Sequence, residues 1–106
     1  MVDELMIQRA VDAVLRAAPV GSTVILFGSY ATGQARTDSD VDFLVVEPEV
    51  ADCFGEMARL SSLLGKMLIP ADVVVVSRET FERLREMPNT LPHRARREGK
   101  IYESVG

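Results

Sequence analysis

The sequence predicts an α/β domain of the two-layer, α+β kind, in which a small mixed β-sheet is packed by helices. Three observations carry this. Apolar runs of strand length, TVILF at 23–27, VDFLVV at 41–46 and DVVVVS at 72–77, are bounded by turn residues. Stretches with apolar side chains at helical spacing alternate with them. The 106 residues suffice for one small domain, and at 47% hydrophobic they can build its core.

Residues 2–18 place Ile7, Val11, Val14, Leu15 and Ala18 at helical spacing, with Asp3 near the start and Pro19 and Gly21 at the end. Residues 23–27 then form a buried strand between Gly21 and Gly28. The segment 28–39 is rich in turn residues, and Pro48 stops the strand at 41–46. A second amphipathic helix spans about 50–68, with Val50, Phe54, Met57, Leu64 and Met67 marking its apolar face. After Pro70, the β-branched run 72–77 is the clearest strand in the chain. Ser77 caps a third helix, from Arg78 to about Met87, with Glu79 in its first turn. Pro88 interrupts. A fourth helix covers 90–98 and closes at Gly99, and Ile101-Tyr102 makes a short terminal strand.

Charge and cysteine content remove several classes of function. A net charge of −4 argues against a domain whose main task is gripping nucleic acid, so no direct nucleic-acid binding is expected. With Cys53 as the single cysteine there is neither an internal disulfide nor a zinc cluster, which suits a reducing, cytoplasmic setting. The N-terminal stretch lacks the pattern of a signal peptide, and no window has the roughly 18 consecutive apolar residues of a membrane span, so no membrane association is expected. Self-association is left open.

The chemistry concentrates in LFGSYATGQARTDSDVDFLVV, residues 26–46. Strand residues two apart share a face, so Asp40 and Asp42 point one way while Val41, Phe43 and Val45 enter the core. Neighbouring carboxylates repel unless they share cations, and hard oxygen donors suit Mg²⁺, with Mn²⁺ as a substitute. Asp72 opens the third strand and converges on the same spot if the second and third strands are neighbours. Three such acids can hold two ions about 3.5–4 Å apart, the spacing that stabilises attacking and leaving oxygens in phosphoryl chemistry. Gly28 lets a phosphate approach the backbone, and one helical turn at 29–32 would present free N–H groups and the Ser29 hydroxyl to it. Arg36 can steady a triphosphate or departing pyrophosphate. The residues therefore point to a metal-bridged polyphosphate.

Gly28-Ser29, ten intervening residues and Asp40-Val41-Asp42 resemble the GSx10DxD signature of the DNA polymerase beta-type nucleotidyltransferase superfamily. The short chain resembles its minimal nucleotidyltransferase (MNT) members, which are paired with a HEPN-domain toxin in two-gene systems. The first helix, the acidic third strand and the RREGKIYE ending also fit, so the resemblance spans nearly the whole chain. It implies the polymerase beta-like fold, with Asp40, Asp42 and Asp72 ligating two Mg²⁺ ions and Asp72 also helping to deprotonate the acceptor. It further implies that Gly28 and Ser29 bind the phosphates of ATP. AMP would pass to a hydroxyl, in such pairs a tyrosine of the HEPN partner whose RNase activity is silenced. Tyr30 departs from the arginine of many relatives. The alternative is a non-catalytic, antitoxin-like module that neutralises its partner by occlusion; a decayed site would be expected to have lost one of the five motif residues. A small-molecule nucleotidyltransferase normally needs a larger chain for its acceptor pocket.

Blander readings compete at several positions. Asp38, Asp40, Asp42 and Glu49 match positions of a calcium-binding EF-hand loop, but Phe43 stands where the sharp-turn glycine belongs. Arg36 can simply pair with Asp38. His93 lies among Arg94, Arg96 and Arg97 on a charged helix, where a solvated face is the ordinary role. Nothing around Cys53 suggests a lowered thiol pKa, and Tyr102 reads as a packed strand tyrosine.

Overall fold

In the computed structural model, which describes residues 1–103, the first helix, α1 (Glu4–Ala17), begins where the Asp3 side chain accepts a hydrogen bond from the Met6 N–H. The same device starts the other long helices. Asp52 caps α3 (Cys53–Lys66), Ser77 caps α4 (Arg78–Leu84) and Thr90 caps α5 (Leu91–Glu98), each accepting from the backbone N–H three residues on. Such caps are worth about 1 kcal/mol each. The short α2 (Ser29–Thr32) follows the strand β1 (Thr23–Phe27). The remaining strands are β2 (Val41–Glu47), β3 (Ala71–Ser77) and β4 (Lys100–Glu103).

The sheet is mixed, with strand order β3-β2-β1-β4. β1 pairs antiparallel with both β2 and β4, whereas β2 and β3 run parallel with α3 as their crossover. One sheet face, including Leu26, Phe43, Val45 and Val73, packs against Ile7, Val11 and Val14 of α1 and Leu60 and Leu64 of α3. That gives the expected layer of helices on a sheet. A smaller apolar cluster covers part of the other face, where Ile25, Phe27, Leu44 and Val46 meet Phe81 of α4 and Ala95 of α5. Two-sided burial is why β1 and β2 read as nearly continuous apolar runs, not as alternating ones.

Phe54 departs from its expected place on the apolar face of α3: it is 82% exposed. The face is set by Leu60 and Leu64, and Phe54, six residues before Leu60, lies about 120° round the helix from it. The helix also starts later than expected, because Asp52 ends the extended segment by capping it. α4 ends at Leu84, short of the expected Met87, with tight turns leading to Asn89 in the left-handed region (φ 69°).

Glu47, at the end of β2, is a buried carboxyl at 1% exposure, and its Oε2 has no conventional hydrogen-bond donor nearby. Burial, reinforced by a hydrogen bond to Glu56 and by that residue's charge, pushes Glu47 up to about 7, with Arg59 opposing. Glu56 is held down at about 2, mainly by its hydrogen bonds from Arg59 and then by Glu47. A Glu47 carboxyl that keeps its proton can donate it to Glu56, so the pair shares one proton. Arg59 also donates to the Ala17 carbonyl at 2.8 Å, tying α3 to the end of α1. Among the described residues no helix is long and apolar enough to cross a membrane.

Candidate active site

The site forms where β1, β2 and β3 meet the loops at one end of the sheet. Gly28 leaves β1 with φ 74°, a left-handed conformation that glycine adopts without strain. A Cβ at this position would also collide with the Asp42 carboxylate, so turn and acid approach more closely than any other residue would allow. The Gly28 carbonyl accepts the Ala31 and Thr32 N–H groups at 3.1 Å each, closing α2. The first N–H groups of a helix have no acceptor within it, which leaves the Ser29 and Tyr30 amides to face a ligand or solvent. Gly33, at φ 79°, ends the turn with its N–H on the Ser29 carbonyl.

Asp42 and Asp72 are register partners in the parallel β2–β3 pair. Partners in a parallel ladder project to the same face, so the two carboxylates stand side by side. Pairing begins one residue earlier, and the Val41 N–H donates to the Pro70 carbonyl at 2.9 Å. Asp40 is exposed and lies one residue ahead of β2, so strand alternation does not itself orient it. Its charge nonetheless reaches Asp42. Burial raises the Asp42 carboxyl above its ordinary range, with Asp72 adding to the effect, Arg94 opposing it, and Asp40 and Glu98 contributing smaller increases. Among the described residues, no three acidic, histidine or cysteine side chains are gathered into a finished metal cage. The donor set still fits a hard divalent cation, because adjacent carboxylate oxygens beside a glycine turn are its preferred ligands.

Arg36 is not brought onto the carboxylates. It is exposed in the loop before β2, where its N–H donates to the Ser39 hydroxyl at 2.8 Å, and among the described residues it makes no ion pair with Asp38. Tyr30 is half-buried against the larger core. Its hydroxyl accepts from the Val2 N–H at 3.1 Å and donates to the Ser39 carbonyl, which ties the N-terminus to the loop carrying the acids. His93 is half-buried and Cys53 is exposed. Asp40, Asp42 and Asp72 do not line the hollow of about 570 Å³ between α1 and β4.

Two residues missed by sequence reasoning complete the surroundings. Glu98 Oε1 accepts from the Gly28 N–H at 3.0 Å and from Arg94 Nε at 2.9 Å. The Arg94 guanidinium lies over the Phe27 ring, 5.4 Å from its centroid. Gly99 lets this corner approach the sheet, since a Cβ there would strike the Ala95 carbonyl and Ile25. The pairing spans seventy residues, and only the RREGKIYE ending hinted at it.

The nucleotidyltransferase domain model matches residues 7–104, and the chain belongs to that family. It is accordingly a nucleotidyltransferase by class. Its fold is shared with solved toxin–antitoxin structures. A mutant of the toxin–antitoxin MntA-HpeT is 22% identical with a TM-score of 0.63, covering 92% of this chain and 73% of that one. A toxin–antitoxin crystallised with AMP-PNP is also 22% identical, with a TM-score of 0.60 and the same coverage. A putative nucleotidyltransferase from Sulfolobus solfataricus is 18% identical, with a TM-score of 0.55, covering 91% of this chain and 75% of that one. No curated protein matched the sequence significantly.

Proposed function

We propose that this chain transfers AMP from ATP, with Mg²⁺, to a hydroxyl of a partner protein, a tyrosine of a HEPN-domain toxin, and so acts as the antitoxin of a cytoplasmic HEPN/MNT pair. The observation that carries the reading is the register pairing of Asp42 with Asp72 directly beside the Gly28 turn. Support for the partner comes from the similar folds of the toxin–antitoxin structures, one of which holds AMP-PNP.

In this reading Asp40, Asp42 and Asp72 hold the divalent cations, two at full occupancy. When bound, the metal withdraws charge from the phosphate oxygens and lowers the pKa of the attacking hydroxyl. The protein's own residues do the rest. The Ser29 and Tyr30 amides and the Ser29 hydroxyl hold the phosphates in line, while Arg36, exposed in the loop before β2, reaches in to neutralise the departing charge. Asp72 takes the proton of the acceptor hydroxyl as that hydroxyl's oxygen bonds to the α-phosphorus. The bond from that phosphorus to the bridging oxygen breaks, and pyrophosphate leaves with the electron pair.

The test combines α-labelled ATP, Mg²⁺ and the partner encoded beside this chain. Label is expected on the partner with the wild type and not with the Asp40→Ala, Asp42→Ala double variant. If that variant labels equally, the chemistry lies elsewhere. If it still silences the toxin without label, occlusion is the mechanism.

A further inference from the structure

We propose that Glu98 is a positioning residue for the nucleotide-binding turn, holding the Gly28 amide so that the turn stands ready for phosphate; this rests on the function proposed above. β1 pairs with β4 only as far as Leu26 opposite Lys100, so the ladder has run out where Gly28 begins. The Gly28 N–H therefore needs another acceptor, and Glu98 Oε1 provides it at 3.0 Å from the end of α5. Gly99 lets that end of the helix pack against Ile25 and Leu26 of β1, which brings Glu98 within reach of the turn.

An anion beside a polyphosphate site opposes binding, so a carboxylate there needs a reason. Arg94 supplies half of it. Its Nε sits 2.9 Å from the same Oε1, and its guanidinium is fixed over Phe27, so much of the Glu98 charge is offset while the oxygen still accepts the amide. Because Gly28 also abuts Asp42, a turn that drifts would disturb the carboxylate with it. Glu98 touches neither substrate nor metal in this scheme and acts through Gly28.

Glu98→Gln and Glu98→Ala separate the hydrogen bond from the charge. Glutamine keeps an oxygen able to accept from Gly28; alanine does not. Amide exchange at Gly28, measured in the nucleotide-free protein, should speed up about tenfold in Glu98→Ala and stay near wild type in Glu98→Gln. In the transfer assay, KM for ATP should rise about tenfold in the alanine variant with kcat within about twofold, and glutamine should restore it, because the turn binds ground and transition states alike. Equal behaviour of the two variants in exchange and KM overturns the proposal, as does a loss confined to kcat. A wild type that takes up no AMP-PNP with Mg²⁺ overturns the nucleotidyl-transfer reading and this role with it. If exchange still separates alanine from glutamine there, the hydrogen bond stands and the failure belongs to the function.

Discussion

Glu47→Gln should remove most of the decline in stability between pH 5 and pH 8. In the folded protein the Glu47 carboxyl is raised from an ordinary 4.5 to about 7. The native state therefore binds the proton more tightly than the unfolded chain, and stability falls as pH rises from about 4.5 through about 7. Each unit of displacement is about 1.4 kcal/mol, and about 2.5 kcal/mol of the cost accrues between pH 5 and pH 8. Glu56 works in the opposite direction: its carboxyl lies near 2, so its contribution is present above about 4.5 and disappears only in strong acid. Glutamine keeps a donor for Glu56 and carries no charge. Urea denaturation at the two pH values should show a wild-type decline larger than that of Glu47→Gln by on the order of 2.5 kcal/mol. Equal declines in both proteins would mean that Glu47 ionises freely, and the shared proton with Glu56 would have to be abandoned.

Asp42→Asn should raise the melting temperature of the metal-free protein at neutral pH, since it removes a carboxylate destabilised by burial and by Asp72, and should lower transfer at least about 100-fold. Calorimetry and the label assay check the two halves. Gly28→Ala forces a side chain into the left-handed region and against Asp42; a loss of about 2–4 kcal/mol in urea titration is expected, together with loss of AMP-PNP binding by isothermal calorimetry. Leu60→Ala, at a fully buried position, should cost about 2–5 kcal/mol by the same titration, whereas Phe54→Ser should stay within about 0.5 kcal/mol.

The strands were legible because β-branched runs such as 72–77 tolerate few other structures, and the helix starts because Asp3 and Ser77 cap where short polar side chains usually do. The glycine turn was legible for a similar reason: Gly28 directly follows an apolar strand. Phe54 misled because apolar character alone does not fix which side of a helix faces inward; the Leu60–Leu64 pair does. Glu98 and Arg94 were hidden by distance along the chain, since their contact with Gly28 exists only once α5 folds back over β1. Glu47 was hidden by chemistry. A carboxyl at the end of an apolar strand reads as a solvent-facing terminus, and its burial depends on Glu56 and Arg59 arriving from another helix.

The parallel β2–β3 pair also constrains how such a chain can diversify. Residues added or deleted in the loop at 48–51 ahead of α3 alter the surface and leave the alignment of Asp42 with Asp72 untouched. A single residue deleted from β3 ahead of Asp72 would instead turn that acid toward the α1–α3 side and bring Val73 to the mouth of the site. Length is free to vary here; phase is not.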